Sequence, residues 1–179
     1  MVKRSAFGIE GNNTIVQLVT EIEWNLGFSR EAKAVYAQRI QEALHERVLD
    51  VTTASPEPRG FALSPHVLEA YDSKGQTVME FVQEMEDLCG PSSLQNGLVF
   101  CYVYCRSIRD TSAIDEYKWF SDVFHNPDKG YTNTQAFSAA VLKLMKEHGE
   151  LKRLDSFQDF KQWWQSLQVV TKERGIANE

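Results

Sequence analysis

Apolar positions recur along this chain mostly at helical spacing. The densest stretch is LQNGLVFCYVYCRSI, residues 94–108, apolar at Leu94, at 98–105 and at Ile108. That pattern covers nearly the whole circumference of a helix, and a helix apolar all round lies inside a protein or a membrane. The continuous apolar run is eight residues, well short of the roughly 20 needed to span a bilayer. The stretch is therefore predicted to be a central buried helix. Val-Phe-Cys-Tyr-Val-Tyr is also rich in strand formers, but no partner strand is evident elsewhere, which favours the helix.

Amphipathic helices are predicted around it. One runs from Asn13 through Ile15, Leu18, Val19, Ile22 and Leu26 and stops at Gly27. A second is capped by Ser29 and runs to about Asp50. A short one opens at Ser64-Pro65, and another spans about Gln76 to Leu88. Gly90-Pro91 ends that helix, and Ser92 or Ser93 caps the central one. Further helices are predicted over 113–124, over 134–148 with Thr134 at its start, and from Asp155 to about Val170 with Gln158 completing a capping box. The expected fold is all-α: a single-domain bundle of about six to seven helices around the buried central helix. Residues 1–12 read as a flexible lead, 13–172 as the bundle with a Pro/Gly loop at 51–63, and 173–179 as a flexible tail.

Composition refines this picture. The chain has 179 residues, 42% hydrophobic and 25% charged, which suits one ordinary globular domain. Its three cysteines argue against a disulfide scaffold and fit a reducing, cytoplasmic setting. The N-terminus has no apolar core of a secretory signal, and no stretch is long enough to span a membrane. The net charge of −6 is unevenly spread. Residues 1–128 carry 11 basic and 19 acidic side chains, whereas 129–174 carry 8 basic and 5 acidic. The C-terminal third is thus basic on an acidic body.

Candidate chemistry is sparse. Cys101 and Cys105 are four apart on one helix, but no C-x-x-C or nearby His pair completes a zinc set, so they read as core residues. His45, His66, His125 and His148 are scattered. There is no P-loop and no GxGxxG. No catalytic residue, metal, cofactor or small-molecule substrate is expected, and the chain does not read as an enzyme. The acidic run Glu80 to Asp87 reads as a solvated face. The basic set is more suggestive. Lys143, Lys146, Lys152 and Arg153 follow one another closely, Arg106 and Arg109 end the central helix, and Lys161 stands near Trp163. Clustered cations at helix ends can neutralise phosphates without reading bases, and an exposed Trp163 could stack on a base. The plainer reading is that these cations complement helix dipoles.

The buried helix LQNGLVFCYVYCRSI, the segment AFSAAVLKLMKEHG and the aromatic end DSFQDFKQWWQSL together resemble the small helical subunits of CRISPR effector complexes, most of all the type I-D small subunit, over about Asn13 to Thr171. The resemblance implies an antiviral-defence, ribonucleoprotein role. The chain would be a non-catalytic subunit that stacks on sister subunits, other proteins of the complex or copies of itself. It would hold guide RNA and target DNA by their backbones, with sequence read by guide pairing. The acidic body departs from that family's expected charge. The alternative is a protein–protein interaction module, an adaptor or regulator with no nucleic-acid role.

Overall fold

The computed structural model describes residues 1–71, 73–89, 97–130 and 134–174, and its central element is a sheet. Strand β1 (Val2–Ile9) and strand β2 (Thr14–Ile22) form an antiparallel hairpin, with Ile9 opposite Ile15 and Val2 opposite Ile22. Its turn is Glu10-Gly11-Asn12-Asn13, with Gly11 at φ +63° and Asn13 at φ +50°. Gly and Asn are the residues that tolerate this left-handed backbone. Helix α1 (Arg30–Leu44) follows, its Ser29 hydroxyl accepting the Ala32 N–H. Strand β3 (Val48–Asp50) and the short helix α2 (Pro58–Ala62) come next. Then come α3 (Val78–Cys89), α4 (Leu98–Ser107), β4 (Trp119–Ser121), α5 (Gln135–Glu147), α6 (Phe157–Trp164) and β5 (Gln168–Glu173).

The all-α bundle expected from the sequence is therefore corrected to an α/β fold: a five-stranded mixed sheet in the order β3-β4-β1-β2-β5. β1 is antiparallel to both β2 and β4, while β3 pairs parallel with β4 and β5 parallel with β2. Four strands thus share one direction and β1 runs against them. The residues read as a flexible lead form β1, near the middle of the sheet. The predicted helix from Asn13 is β2. The second helix ends at Leu44 and its last residues become β3. The 113–124 helix is a turn leading into β4, and the last helix stops at Trp164 before β5. The Ser64-Pro65 segment forms turns rather than a helix. The Ser92 or Ser93 cap lies outside the described residues, and Gly97 precedes α4. Thr134 caps α5 as expected, its hydroxyl accepting the Phe137 N–H.

The physical reason is that both faces of the sheet are covered along β1 and β2. Along β1 and β2, Ala6, Val16, Leu18 and Ile22 face α1, with Ala32, Tyr36, Ile40 and Leu44 against them. Phe7 and Ile15 face the opposite layer of α4, α5 and α6. A strand buried on both faces loses the apolar–polar alternation that marks a half-exposed strand. The Ile15, Leu18, Val19, Ile22 spacing then imitates a helix. The most enclosed helix is α5 rather than α4. Every residue from Ala136 to Leu142 is buried, and so are Leu144 and Met145. Its small residues Ala136, Ser138, Ala139 and Ala140 let it lie close on the sheet. On β1, Gly8 sits under the Trp119 ring, where a Cβ would come within 2.4 Å of it.

Candidate nucleic-acid interface

The carboxyl ends of β2, β3 and β4 and the amino end of β1 meet at one end of the sheet, together with the start of α1. In open α/β sheets this is the end where ligands commonly bind. Just past β2, Trp24 stacks on Tyr36 of α1 at 3.8 Å with the rings 15° apart. The Tyr36 hydroxyl accepts the Leu26 N–H at 2.6 Å and donates to the Gly27 carbonyl at 3.2 Å, so a buried helix residue holds the β2–α1 loop. Gly27, at φ +80°, supplies the turn. Phe28 follows, 6.2 Å from Trp24 and 75% exposed.

The Arg4 guanidinium lies 4.2 Å from the Trp24 ring, and its Nε donates to the Val123 carbonyl at 2.8 Å. The next residue, Phe124, is 45% exposed and carries the Lys33 ammonium 4.9 Å from its ring. Arg30, in the first turn of α1, reaches the Phe61 ring at 5.8 Å. Phe28, Trp24 and Arg4 are thus linked by contact, and the Arg4–Val123 hydrogen bond sets them beside Phe124 and Lys33; Phe28 and Phe124 are exposed, whereas Trp24 is half-buried against Tyr36 and Arg4. Leu26, 49% exposed, lies on the same loop.

A buried polar cluster underlies this surface. The Asp50 carboxylate accepts the Thr52 N–H and hydroxyl on one oxygen, and on the other the Ser121 hydroxyl at 2.9 Å and the Val123 N–H at 3.0 Å. Its oxygens are taken by four donors of its own chain, so it ties β3, β4 and the 51–55 loop together and faces no solvent. Burial pushes its pKa up to about 6 against the pull of those donors. Asp122 accepts the Phe124 N–H at 2.9 Å. Burial first and the nearby Asp50 charge second push it up to about 7, while the backbone donors and Arg4 hold it down. His125 packs 5.7 Å from Phe7, and its Nε2 has no hydrogen-bond partner among the described residues. Burial, then the Arg4 charge, lowers its pKa to about 4.

The cations singled out in the sequence lie elsewhere. Lys143 donates to the Asp115 carbonyl at 2.7 Å and pairs with Glu147 at 3.4 Å. Lys146 donates to the Thr111 carbonyl and pairs with Asp115, both at 2.7 Å. Arg109 pairs with Asp155 at 2.6 Å and Arg153 with Glu150 at 3.0 Å. Lys152 is exposed on a 3-10 segment. Arg106 lies over the Tyr71 ring at 4.3 Å and the Tyr102 ring at 5.4 Å. Lys143 and Lys146 do share one face of α5, but that face is occupied by the 111–115 segment. Trp163, the ring expected to stack on a base, is only 5% exposed and belongs to the core. Cys101 and Cys105 are buried, their sulfurs 3.8 Å apart, with the Cys105 thiol donating to the Ser138 carbonyl at 3.3 Å. Among the described residues no group of three or more His, Cys, Asp or Glu is placed to hold a metal.

The ring-and-cation surface was missed because its members are scattered at 4, 24–33, 61 and 124. The available signal was the aromatic pair Trp24 and Phe28 flanking a glycine, followed by Arg30 and Lys33, and it was absorbed into two predicted helices. No protein-family model matches the chain, and no curated protein matches it.

Proposed function

We propose that the chain is a non-catalytic binding subunit that holds single-stranded nucleic acid, without reading its sequence, on the surface formed by Phe28, Trp24, Arg4, Phe124, Lys33 and Arg30. The observation that carries this reading is that two exposed rings, Phe28 and Phe124, stand at one end of the sheet with the cations Arg4, Arg30 and Lys33 around them. A single strand presents both bases and phosphates. Rings stack on any base and cations meet any phosphate, so the contact tolerates all sequences. The likeness to CRISPR small subunits assumed an all-helical chain, so the proposal rests on this edge and not on that likeness. A cytoplasmic setting belongs to the same proposal, and the free thiols of Cys101 and Cys105 suit a reducing compartment. No helix among the described residues is long and apolar enough to cross a membrane.

The test is fluorescence anisotropy with labelled single-stranded DNA and RNA of mixed sequence over a salt series. Wild-type binding should weaken linearly in log affinity against log salt. The R30E/K33E double variant should bind more weakly and lower the slope by about 1.4, at about 0.7 per phosphate contact on a single strand. F28A should weaken binding by about 1–3 kcal/mol. K143E/K146E, whose cations already face Asp115 and Glu147, should change affinity less than about twofold. An affinity indifferent to R30E/K33E and F28A removes the reading. Capture of a protein partner through Phe28, with no oligonucleotide binding, replaces it with the interaction module.

A further inference from the structure

A second site lies on the far layer of the molecule, independent of the edge above. Between α3, α4 and α6 is a cavity of about 280 Å³. Its walls are apolar: Phe81 and Met85 from α3, Val99 from α4 and Phe157 from α6. Its polar end is the Arg106 guanidinium, set in the last turn of α4 over Tyr71 and Tyr102. The Tyr102 hydroxyl donates to the Leu154 carbonyl at 3.3 Å, and its ring meets Phe157 edge-on at 5.2 Å. The aromatic wall is therefore held in place from two sides. Phe157 is 39% exposed and Tyr71 43% exposed, so the cavity opens to solvent beside them.

We infer that this cavity binds a small amphipathic carboxylic acid, an aryl or medium-chain alkyl carboxylate, with its apolar body against Phe81, Met85 and Val99 and its carboxylate towards Arg106. The cavity volume limits the body of the ligand. An engineered apolar cavity of about 150 Å³ takes one benzene, so this one accommodates a bicyclic aromatic or a comparable alkyl chain. The Arg106 guanidinium selects the head group. A guanidinium offers five N–H donors in a planar fork that matches a carboxylate, so it can serve more than one acceptor at once. The two tyrosine rings orient the guanidinium and limit its contact with bulk water, which strengthens its attraction for an anion. Apolar walls beside a guanidinium favour an amphipathic monoanion over a polyanion, which the walls would desolvate without compensation.

The test follows the methyl signals of methionine in heteronuclear spectra of the intact chain, with Met85 assigned by substitution. 2-Naphthoate and decanoate are titrated alongside 2-naphthamide and decanamide, which keep the shape and lose the charge. The acids should shift the Met85 methyl saturably and bind at least tenfold more tightly than the amides. R106Q should abolish that preference while the far-ultraviolet circular dichroism is unchanged. V99W, which fills the cavity, should remove the shift. If V99W does not fold, the wild-type acid–amide comparison and R106Q decide alone. Equal titration by acid and amide, or no saturable shift at Met85 with any of the four compounds, overturns the assignment.

Discussion

The buried pair Asp50 and Asp122 sets a pH dependence whose sign can be worked out group by group. In the unfolded chain an aspartate titrates near 3.8, whereas the folded Asp122 titrates near 7. Between those values the folded state holds the extra proton, so Asp122 takes stability away as pH rises from about 4 to 7. At 1.36 kcal/mol per pH unit the full loss is about 4 kcal/mol. His125 acts in the opposite sense. Its folded value is about 4 against an ordinary 6.5, so the neutral imidazole contributes stability above about 6.5 that is lost as pH falls towards 4. That contribution is about 3 kcal/mol. Asp50, raised to about 6, adds to the first trend. In the wild type the opposing terms partly cancel between pH 4 and 6.5, and single substitutions separate them. D122N keeps a side-chain oxygen for the Phe124 N–H and cannot ionise. It should be more stable than wild type by up to about 4 kcal/mol at pH 8, less whatever Arg4 loses with its countercharge, and within about 1 kcal/mol at pH 4.5. H125F keeps the packing on Phe7 and removes the titrating ring. Its stability relative to wild type should improve as pH falls from 6.5 to 4.5. Urea unfolding followed by tryptophan fluorescence at pH 4.5, 6 and 8 reads all three proteins. A D122N stability gain that is the same at pH 4.5 and pH 8 refutes the account of Asp122 as a buried, titrating carboxyl.

Other consequences of the packing are open to simple tests. G60A should destabilise more than G8A. A Cβ at Gly60 falls 1.9 Å from the backbone carbonyl oxygen of Asp50, whereas at Gly8 it meets the Trp119 ring at 2.4 Å, and a ring can shift. Overpacking of the second kind costs about 1–3 kcal/mol, and urea midpoints of the two variants give the order. Y36F removes the hydroxyl that joins Leu26 and Gly27. It should cost about 1–2 kcal/mol and speed amide hydrogen exchange at Leu26, while leaving the acid-binding cavity unaffected.

Much of the local structure was legible in the sequence. Ser29 caps α1, Thr134 caps α5, and α3, α4 and α6 lie within predicted helices. The core membership of Phe137 and Leu144 was also legible, because each sits on the apolar side of a helix whose identity its own spacing reveals, and that of Cys101 and Cys105 was legible because their segment is apolar on nearly every side. The candidate binding edge was not. Its members come from β1, the β2–α1 loop, α1, α2 and the end of β4, and no spacing along the chain brings Arg4 to Trp24 or Lys33 to Phe124. The six cations chosen by proximity in sequence were clustered along the chain, but groups distant in sequence occupy three of them: the Asp155 carboxylate takes Arg109, the Asp115 carboxylate Lys146 and the Asp115 backbone carbonyl Lys143.

The sequence by itself determined that the chain has a sizeable apolar core, where most of its helices lie, and how α1 and α5 begin, whereas α6 is capped by Ser156 and not by the expected Asp155. Only the tertiary structure decided that the first strands are strands. Ile15, Leu18, Val19 and Ile22 satisfy a helix and a doubly buried strand equally well. The choice between them depends on whether partners exist: one is the adjacent hairpin strand β1, itself read as a flexible lead and held in the sheet by β4, and the other is β5, at the far end of the chain. Helical hydrogen bonds close within four residues and leave a local signature. Sheet hydrogen bonds close between segments, so a short strand such as Trp119–Ser121 is defined by its neighbours. The same non-local pairing brings Asp50 to Ser121 and Val123.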